Sequence, residues 1–353
     1  MKFKAAVLVE SKKPLVIEEL EVPRLTFGQV LVRVITSGIC GAQINEIDAV
    51  KGPDRFLPHL QGHEATAEVL ECGEGVTTVA PGDRVICHWR PGSGLQAPPA
   101  SYDSPIGKIN AGWVTTFNEM AVLSENRVTR IPSDFDPEIG ALMGCAVTTA
   151  IGVVNNDARV KVGESVVIFG AGGVGLALAR ILPMVAAYPI IAVDLFDHKL
   201  ERARELGATH TINATRTDPV EAIRDIVGPH GADVVLENSG QREVVEQAYE
   251  VTAPQGRMIL VGVPHKGDDP SFYTLPLFFG KVLTGSHGGE SKPDIDIPRY
   301  VRLCQTGRLD LSPLIGKRYP LEQINRAMAE MRAGEITGRC MINLTNESGD
   351  HRH

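Results

Sequence analysis

Two isolated cysteines and one histidine are the side chains in this sequence best suited to binding a metal. Cys40 precedes the segment Gly62-His63-Glu64, and Cys145 follows it. Thiolate and imidazole groups are zinc ligands, and a catalytic zinc uses three protein ligands while its fourth position stays open. Taken alone, a histidine after a glycine is more often structural, and so wide a spacing is not itself a metal motif. The three residues are therefore candidates that need support from the rest of the chain.

A glycine-rich turn supplies a second kind of chemistry. It reads Gly170-Ala171-Gly172-Gly173-Val174-Gly175, follows an apolar run, opens a helical pattern and precedes an acid, Asp194, by about 20 residues. Gly170 permits a tight turn, Gly172 lets the backbone approach a pyrophosphate, and Gly175 allows close helix packing. The helix N-terminus adds amide donors for the phosphates. Soft metal ligands ahead of such a turn indicate metal-assisted hydride transfer.

Asp194 favours NAD over NADP as the cofactor. Its carboxylate can accept hydrogen bonds from both ribose hydroxyls but repels a 2′-phosphate. The segment that follows, 195–197, offers no arginine to bind that phosphate. Lys199 is a further candidate for a ribose contact, and a solvated charge at a helix start is the alternative.

The elements expected to position these residues change character near residue 150. Residues 1–149 show short β runs such as 29–34 and 65–70, cut by glycine and proline turns, which predicts an all-β module. From about residue 162, apolar strands such as 165–169 alternate with helical stretches, as a doubly wound parallel sheet requires. The predicted class is therefore α/β.

We predict three segments from this change of pattern. Residues 1–149 form the first domain, residues 150–289 form the nucleotide-binding domain, and residues 290–353 return to the first domain. The polar end of the chain, residues 346–353, is predicted to be frayed.

Composition excludes several classes of partner. The 353 residues are 43% hydrophobic and 22% charged, which is typical of a soluble globular protein. A net charge of -8 gives no electrostatic support for binding nucleic acid or anionic lipid. No apolar run approaches the roughly 20 residues that span a bilayer. Six cysteines without a CxxC pair indicate reduced thiols, so we expect a cytoplasmic location.

Several short motifs together resemble those of the zinc-dependent medium-chain alcohol dehydrogenases. In that family's order and approximate spacing, the chain has Gly38-Ile39-Cys40-Gly41, Gly62-His63-Glu64, Pro81-Gly82-Asp83-Arg84-Val85, Gly144-Cys145 and the glycine-rich turn. The resemblance covers nearly the whole chain. It implies a GroES-like mainly-β catalytic domain, a Rossmann-like NAD-binding domain, one catalytic zinc and the reversible oxidation of an alcohol.

The resemblance also implies roles for individual residues. Cys40, His63 and Cys145 would hold the zinc, with Glu64 as a nearby carboxylate or transient ligand. Further implied contacts concern the cofactor. Thr149 and Val174 would lie at the nicotinamide, with a packing role as the alternative for both. Val263 and Ser286 would lie in turns that line the cofactor, and Arg339 at the pyrophosphate.

Two features depart from the family pattern. Many members bind a second, structural zinc through four cysteines in a lobe after the Gly-Asp-Arg-Val segment, but residues 91–112 contain no cysteine, so we expect no structural zinc. Two residues beyond Cys40, where the family usually has a serine or threonine that passes the alcohol proton outward, this chain has Ala42, whose methyl group cannot. Gln43 and Asn45 carry amides that are poor acids and bases, so water, substrate hydroxyls or Glu64 would carry the proton.

The residues after the Gly-Asp-Arg-Val strand are candidates for the substrate pocket. Trp89 stands where relatives have an aromatic residue that faces the substrate, and Arg90 beside it could pair with a carboxylate or phosphate. A solvent-exposed or acid-paired arginine is the alternative. Cys145, rather than the Glu-Pro of polyol-specific relatives, favours alcohol and aldehyde chemistry.

The sequence therefore predicts a zinc-dependent enzyme that transfers a hydride between NAD(H) and a small alcohol, aldehyde or ketone. We expect a homodimer or homotetramer that pairs through the sheet edge near 282–286. One alternative is a metal-free enoyl or quinone reductase of the same superfamily. The other is a non-catalytic NAD-binding protein.

Overall fold

The computed structural model describes residues 1–345, and the predicted fraying of residues 346–353 lies outside them. The chain divides into two compact units. Residues 1–49, 53–145 and 292–345 form the first unit, and residues 50–52 and 146–291 form the second.

The first unit begins with ten strands and two helices in chain order. They are β1 (Lys2–Leu8), β2 (Val16–Glu21), β3 (Gln29–Ile39), α1 (Gly41–Ile47), β4 (His59–Leu60), β5 (Glu64–Cys72), β6 (Arg84–His88), β7 (Ser101–Ser104), β8 (Gly107–Asn110), β9 (Met120–Ser124), β10 (Val128–Ile131) and α2 (Pro137–Leu142).

The second unit alternates helices and strands. They are α3 (Ala146–Gly152), β11 (Val166–Phe169), α4 (Gly173–Ile181), β12 (Ile190–Asp194), α5 (Asp197–Leu206), β13 (His210–Asn213), α6 (Pro219–Val227), β14 (Ala232–Glu237), α7 (Arg242–Val251), β15 (Thr252–Leu260) and β16 (Val282–Gly285). The chain then adds α8 (Pro293–Gln305), β17 (Ile315–Pro320), α9 (Ile324–Arg332) and β18 (Arg339–Asn343) to the first unit.

Two sheets build the first unit. One has the strand order β2-β1-β4-β8-β7, and the other has the order β10-β6-β5-β3-β18-β17, with β9 also paired to β3. Strand β18 pairs antiparallel with β3, with Cys340 opposite Ile39. The C-terminal strand therefore ends up beside the start of α1.

This part of the chain is mainly β, as the family resemblance implies, but it is not all β as the pattern of β runs alone predicted, because two short helices lie among the strands. Helix α2 carries a sequence signal that the pattern of β runs concealed. Asp136 is its N-cap and accepts hydrogen bonds from the N–H groups of Glu138 and Ile139, while Pro137 occupies the first turn. Helix α1 has only seven residues, too few for a helical period to stand out.

A six-stranded parallel sheet forms the second unit, in the order β13-β12-β11-β14-β15-β16. All four residues of β11 are buried, as expected for a central strand covered by helices on both faces. The order reverses direction at β11, and ligands of doubly wound sheets bind where the order reverses. The predicted α/β class is confirmed. Across residues 1–345, we find no helix whose length and apolar character would suit a membrane crossing.

Candidate metal centre and nucleotide-binding turn

The structure brings Cys40, His63 and Cys145 together. Cys40 follows β3 and is the N-cap of α1, His63 directly precedes β5, and Cys145 lies between α2 and α3. Their ligand atoms all lie within 4.8 Å of one another, and in residues 1–345 no second cluster of this kind occurs. Sequence spacing could not establish this convergence, because the fold produces it.

The donor set fits a zinc ion. Two thiols and one imidazole match the ligands of catalytic zinc sites. His63 Nε2 is buried and has no hydrogen-bond partner among the described residues. Buried polar atoms are nearly always paired, so an unpaired ring nitrogen beside two thiols indicates a position for a ligand. The residues that are present therefore suit the metal that the sequence implies.

The two thiols differ in proton affinity. A hydrogen bond from Cys145 lowers the pKa of the Cys40 thiol well below its usual value, against the effect of burial, and the charge of Arg339 lowers it further. The same contact and burial raise the pKa of Cys145. Cys40 is therefore the first of the two thiols to lose its proton. Metal binding must displace the proton of Cys145.

Glu64 lies beside the centre and is fully buried. Its carboxylate accepts a hydrogen bond from the Nε of Arg339, the first residue of β18. Gly38 on β3 makes room for this carboxylate, because a Cβ at position 38 would overlap the Glu64 carboxyl oxygen. The sequence identified Glu64 but not its partner. The available signal was an arginine at the first position of β18, a strand whose next three residues are apolar.

Gln43 has a role at this site that sequence reasoning missed, because it was considered only as an acid or base. Its side chain is buried, its Oε1 accepts a hydrogen bond from the Cys40 N–H at 2.8 Å, and its Nε2 contacts the Nδ1 of His63. One side chain therefore touches two candidate ligands. Its position three residues after an N-cap was the available signal, because a glutamine there reaches back to the cap N–H.

The predicted substrate-pocket residues lie on two elements near the centre. Ala42 is exposed on α1. Trp89 and Arg90 directly follow β6. The last residue of that strand, His88, lies opposite Glu64 in the pairing of β6 with β5. The Arg90 guanidinium lies 5.9 Å from the centroid of the Trp89 ring. Their roles toward a substrate stay predictions.

The glycine-rich turn has a backbone conformation that its glycines permit. It connects β11 to α4, and Gly170 has a φ of +88°, a value that favours glycine. Gly172 is the N-cap of α4, whose first two residues are Gly173 and Val174. A Cβ on Gly175 would overlap the carbonyl oxygen of Gly170, so close packing excludes a side chain there.

Asp194 ends β12, and its carboxylate lies against this turn. Its Oδ2 accepts a hydrogen bond from the Ala171 N–H at 2.7 Å. Its Oδ1 accepts from the N–H groups of Leu195 at 2.8 Å and Phe196 at 3.1 Å. The carboxylate is therefore held in one orientation at the edge of the sheet where the turn lies.

The remaining residues predicted to contact the cofactor are in both units. Thr149 is buried in α3, and the Nζ of Lys199 lies 4.6 Å from the centroid of the Phe196 ring. Val263 follows β15, and the Ser286 hydroxyl after β16 accepts a hydrogen bond from the Gly289 N–H at 2.8 Å. Arg339 lies in the first unit, and its Nη2 is buried and has no partner in the described chain. Their cofactor contacts stay predictions.

Residues 124–127 make hydrogen bonds to segment 91–112, which we call the cysteine-free lobe, and to residues that precede it. The carboxylate of Glu125 accepts from the N–H groups of Thr77, Thr78 and Leu95 at 2.7–2.8 Å. The Ser124 hydroxyl accepts from the Ala97 N–H at 3.0 Å. Two further members of this segment also contact the lobe: Asn126 through Gln96 and Gly92, and Arg127 through Gln96 and the Trp89 carbonyl.

Comparison with known proteins identifies both parts of the chain. The alcohol dehydrogenase GroES-like domain matches residues 26–133, and the zinc-binding dehydrogenase family matches residues 173–306. An NDMA-dependent alcohol dehydrogenase from Amycolatopsis methanolica is 31% identical over 95% of this chain and 97% of its own. An S-(hydroxymethyl)glutathione dehydrogenase from Escherichia coli is 32% identical over 95% of this chain and 98% of its own.

Solved structures agree with this assignment. An alcohol dehydrogenase zinc-binding domain protein from Burkholderia ambifaria superposes with a TM-score of 0.89 at 30% identity, covering 98% of this chain and 100% of that one. The benzyl alcohol dehydrogenase of Acinetobacter calcoaceticus superposes with a TM-score of 0.87 at 27% identity and the same coverage. With its three converging ligands and its glycine-rich turn, this chain belongs to the zinc-binding alcohol dehydrogenase family of oxidoreductases.

Proposed function

We propose that the chain interconverts a small alcohol and its aldehyde or ketone, with one zinc ion at Cys40, His63 and Cys145 and with NAD(H) as the hydride carrier. The observations that carry the proposal are the convergence of Cys40, His63 and Cys145, whose ligand atoms lie within 4.8 Å of one another, and the buried Nε2 of His63, which has no hydrogen-bond partner among the described residues. A metal-free reductase would have no use for that arrangement. A purely structural histidine would have a partner at both ring nitrogens.

Different residues of the chain have different roles in this reaction. A zinc ion bound there supplies a Lewis acid that polarises the substrate oxygen and lowers the pKa of the alcohol. Cys40 and Cys145 offer thiolates, and Glu64 adds a buried negative charge that Arg339 balances. The backbone N–H groups at the start of α4 are the donors that we assign to the pyrophosphate of the cofactor.

The proton of the alcohol needs a route that bypasses Ala42. Glu64 is fully buried and paired with Arg339, so it is held in place and is a poor carrier to solvent. We therefore assign the relay to water and to hydroxyl groups of the substrate. Ala42→Ser restores the hydroxyl at this position. Because the assigned route does not use residue 42, we expect kcat for a simple primary alcohol to stay close to that of wild type, and a large increase would contradict the assignment.

A single zinc per chain is supported by how the lobe is held. Residues 91–112 contain no cysteine, and the carboxylate of Glu125 with its neighbours makes the hydrogen bonds that close the lobe. A structural metal is therefore not required at this position. A zinc content near two per chain would contradict this part of the proposal.

NAD is the cofactor that Asp194 supports. The carboxylate is fixed by three backbone N–H groups and would meet the 2′-phosphate of NADP with a like charge. Arg216, the arginine that follows β13, is already paired with Asp197. A wild-type protein that turns over faster with NADPH than with NADH would contradict this assignment.

We also propose a homodimer or homotetramer that pairs through β16. This strand is at the edge of the six-stranded sheet, and an edge strand has backbone groups available for pairing. Phe278 and Phe279 before it are 82% and 68% exposed, which suits a covered interface. Replacing both with glutamate is expected to reduce the mass seen by light scattering to that of one chain. An unchanged mass would contradict the interface.

A cytoplasmic location belongs to the same proposal. The cysteines at positions 40, 72, 87, 145, 304 and 340 form no disulfide in the described part of the chain, which is typical of proteins in the reducing cytoplasm. Fractionation of cells that express the tagged protein is expected to recover it with cytoplasmic markers. Recovery with secreted or envelope fractions would contradict the location.

Metal analysis combined with kinetics tests the central proposal. We expect about one zinc per chain, and we expect His63→Ala and Cys40→Ala to lose both zinc and turnover of a panel of primary alcohols with NAD. Turnover that survives either substitution in zinc-free protein would favour the metal-free reductase. Tight NADH binding without turnover across alcohols and aldehydes would favour a non-catalytic protein.

A further inference from the structure

The buried amide of Gln43 contacts two of the three candidate zinc ligands. Its oxygen accepts from the backbone N–H of Cys40, and its nitrogen contacts the ring of His63. We propose that Gln43 is a positioning residue for the metal, and that its amide must turn its oxygen from Cys40 to His63 when the metal binds. The inference depends on the proposed zinc site and goes beyond it.

The contact with Cys40 belongs to the start of helix α1. Cys40 is the N-cap, with an extended backbone (φ −99°, ψ 151°), and Gln43 is the third residue of the helix. The N–H of an N-cap residue has no partner within the helix, and a glutamine at this position satisfies it. The single acceptor oxygen of Gln43 is therefore already in use where the first metal ligand enters the helix.

The contact with His63 involves the nitrogen of the same amide. An amide nitrogen can only donate, so the Nδ1 it contacts must accept. A neutral ring that accepts at Nδ1 carries its proton on Nε2. Nε2 is the ring nitrogen that is buried without a hydrogen-bond partner among the described residues. In this arrangement the ring cannot offer its Nε2 lone pair to a metal.

Metal binding requires the other arrangement. A ring that binds through Nε2 has its proton on Nδ1 and must donate it to an acceptor, which for metal-bound histidines is commonly a carboxylate or a carbonyl. Near Nδ1 the chain provides the Gln43 amide, which has one oxygen. Turning that oxygen toward His63 removes it from the Cys40 N–H. A carboxylate at position 43 would offer one acceptor oxygen to each donor, whereas the end of the Gln43 amide that now faces His63 is a nitrogen, which cannot accept.

Gln29 provides a matched control. It is also a buried glutamine whose Oε1 accepts the N–H of the residue three positions earlier, Thr26, at 2.9 Å. Its Nε2 donates to the carbonyl of Pro98 rather than to an imidazole. The same loss of a buried amide can therefore be compared with and without contact to a metal ligand.

Zinc affinity is the first readout. Zn²⁺ is titrated against a chromophoric chelator with metal-free full-length protein, so no turnover is needed. We expect Gln43→Leu to weaken zinc binding by about 10–100-fold, the range typical for residues that support metal ligands. We expect Gln29→Leu to leave zinc affinity unchanged and Gln43→Glu to strengthen it. Wild-type affinity in Gln43→Leu would overturn the inference.

The position of the ring proton is the second readout, and it separates hydrogen bonding from added charge. Proteins labelled with ¹⁵N-histidine report which His63 nitrogen carries the proton by NMR. We expect Nε2 in metal-free wild type and Nδ1 in the zinc form, whereas Gln43→Glu should have the proton on Nδ1 even without metal. A proton on Nδ1 in metal-free wild type would overturn the inference, even if Gln43→Leu fails to fold.

These measurements also distinguish failure of the inference from failure of the proposed function. Wild-type protein that binds no zinc removes the zinc site and this inference together. Wild-type protein that binds zinc tightly through His63, with Gln43→Leu unaffected, removes only the inference about Gln43.

Discussion

The guanidinium of Arg339 donates a hydrogen bond to the carboxylate of Glu64, although 275 positions separate the two residues. Two strand pairings produce this contact. Strand β18 pairs with β3 with Cys340 opposite Ile39, and β5 pairs with β3 with Ala65 opposite Ser37. Arg339 and Glu64 each lie one residue beyond these pairs, so the register of the sheet sets both residues beside the metal centre.

Breaking this ion pair on one side is expected to be severe. Arg339→Leu leaves the Glu64 carboxylate buried without a counter-charge, and breaking a buried pair in this way costs about 3–5 kcal/mol. The free energy of unfolding, measured with urea in chelator-treated protein, should fall accordingly. Adding Glu64→Leu should recover much of the loss, because no lone charge is then buried.

The exposed ion pair between Lys2 and Glu19 serves as the control for this measurement. Lys2→Leu removes a charge of the same sign from solvent and should change stability little. If Arg339→Leu and the double variant are equally unstable, Glu64 is not the cause of the loss.

Local sequence patterns predicted much of the fold and less of the site. Strand β11 and the glycine-rich turn were predictable because each needs only its own residues: an apolar run, a turn and a helix start. The contact of Arg339 with Glu64 was not, because it depends on the register of three strands that are far apart in sequence. Gln43 was named but judged only as an acid or base, whereas the fold uses its amide for hydrogen bonding.

Glu125 is expected to hold the cysteine-free lobe closed. Its pKa is lowered, because the N–H groups of Thr77, Leu95 and Thr78 outweigh the effect of burial. Glu125→Gln replaces one acceptor oxygen with a donor, so one of these N–H groups loses its partner. We expect the free energy of unfolding to fall by about 1–3 kcal/mol. Proteolysis of segment 91–112 should also become faster.

Zinc content distinguishes this role from a metal-dependent one. It should be the same in Glu125→Gln as in wild type, because the lobe is held without metal. Glu74→Gln, at an exposed glutamate, is the control and should change neither proteolysis nor stability. A loss of zinc together with the lobe would show that the hydrogen bonds are not acting alone.

Cofactor choice is expected to depend on the charge at Asp194. Asp194→Gly combined with Leu195→Arg removes the repulsion of a 2′-phosphate and adds a cation that can bind it. The ratio of kcat/KM for NADPH over NADH should rise by about 100-fold, equivalent to about 2.7 kcal/mol. The lost hydrogen bond to Ala171 lowers stability, but both cofactors share that loss, so the ratio is insensitive to it.

Asp233 gives a control at the opposite end of the same sheet. Its carboxylate accepts from the N–H of Ser165 at 2.9 Å, just before β11 begins. Asp233→Asn should change stability but not the cofactor ratio. An Asp194→Gly/Leu195→Arg variant that keeps the wild-type ratio would remove Asp194 as the determinant.

Acid stability is expected to depend on His88. Burial lowers the pKa of His88 from 6.5 to about 4, and its ring is held between the Arg90 carbonyl and the Thr129 hydroxyl. Between pH 6.5 and 4, His88 is protonated in the unfolded chain but not in the folded chain. The free energy of unfolding therefore rises with pH in this window and falls as the solution becomes acidic. From pH 7 to pH 4.5 the contribution of this residue is about 2–3 kcal/mol. His88→Asn removes the titrating ring, so its free energy of unfolding in urea should fall less over this range than that of wild type. Equal slopes for the two proteins would mean that groups other than His88 account for the acid sensitivity.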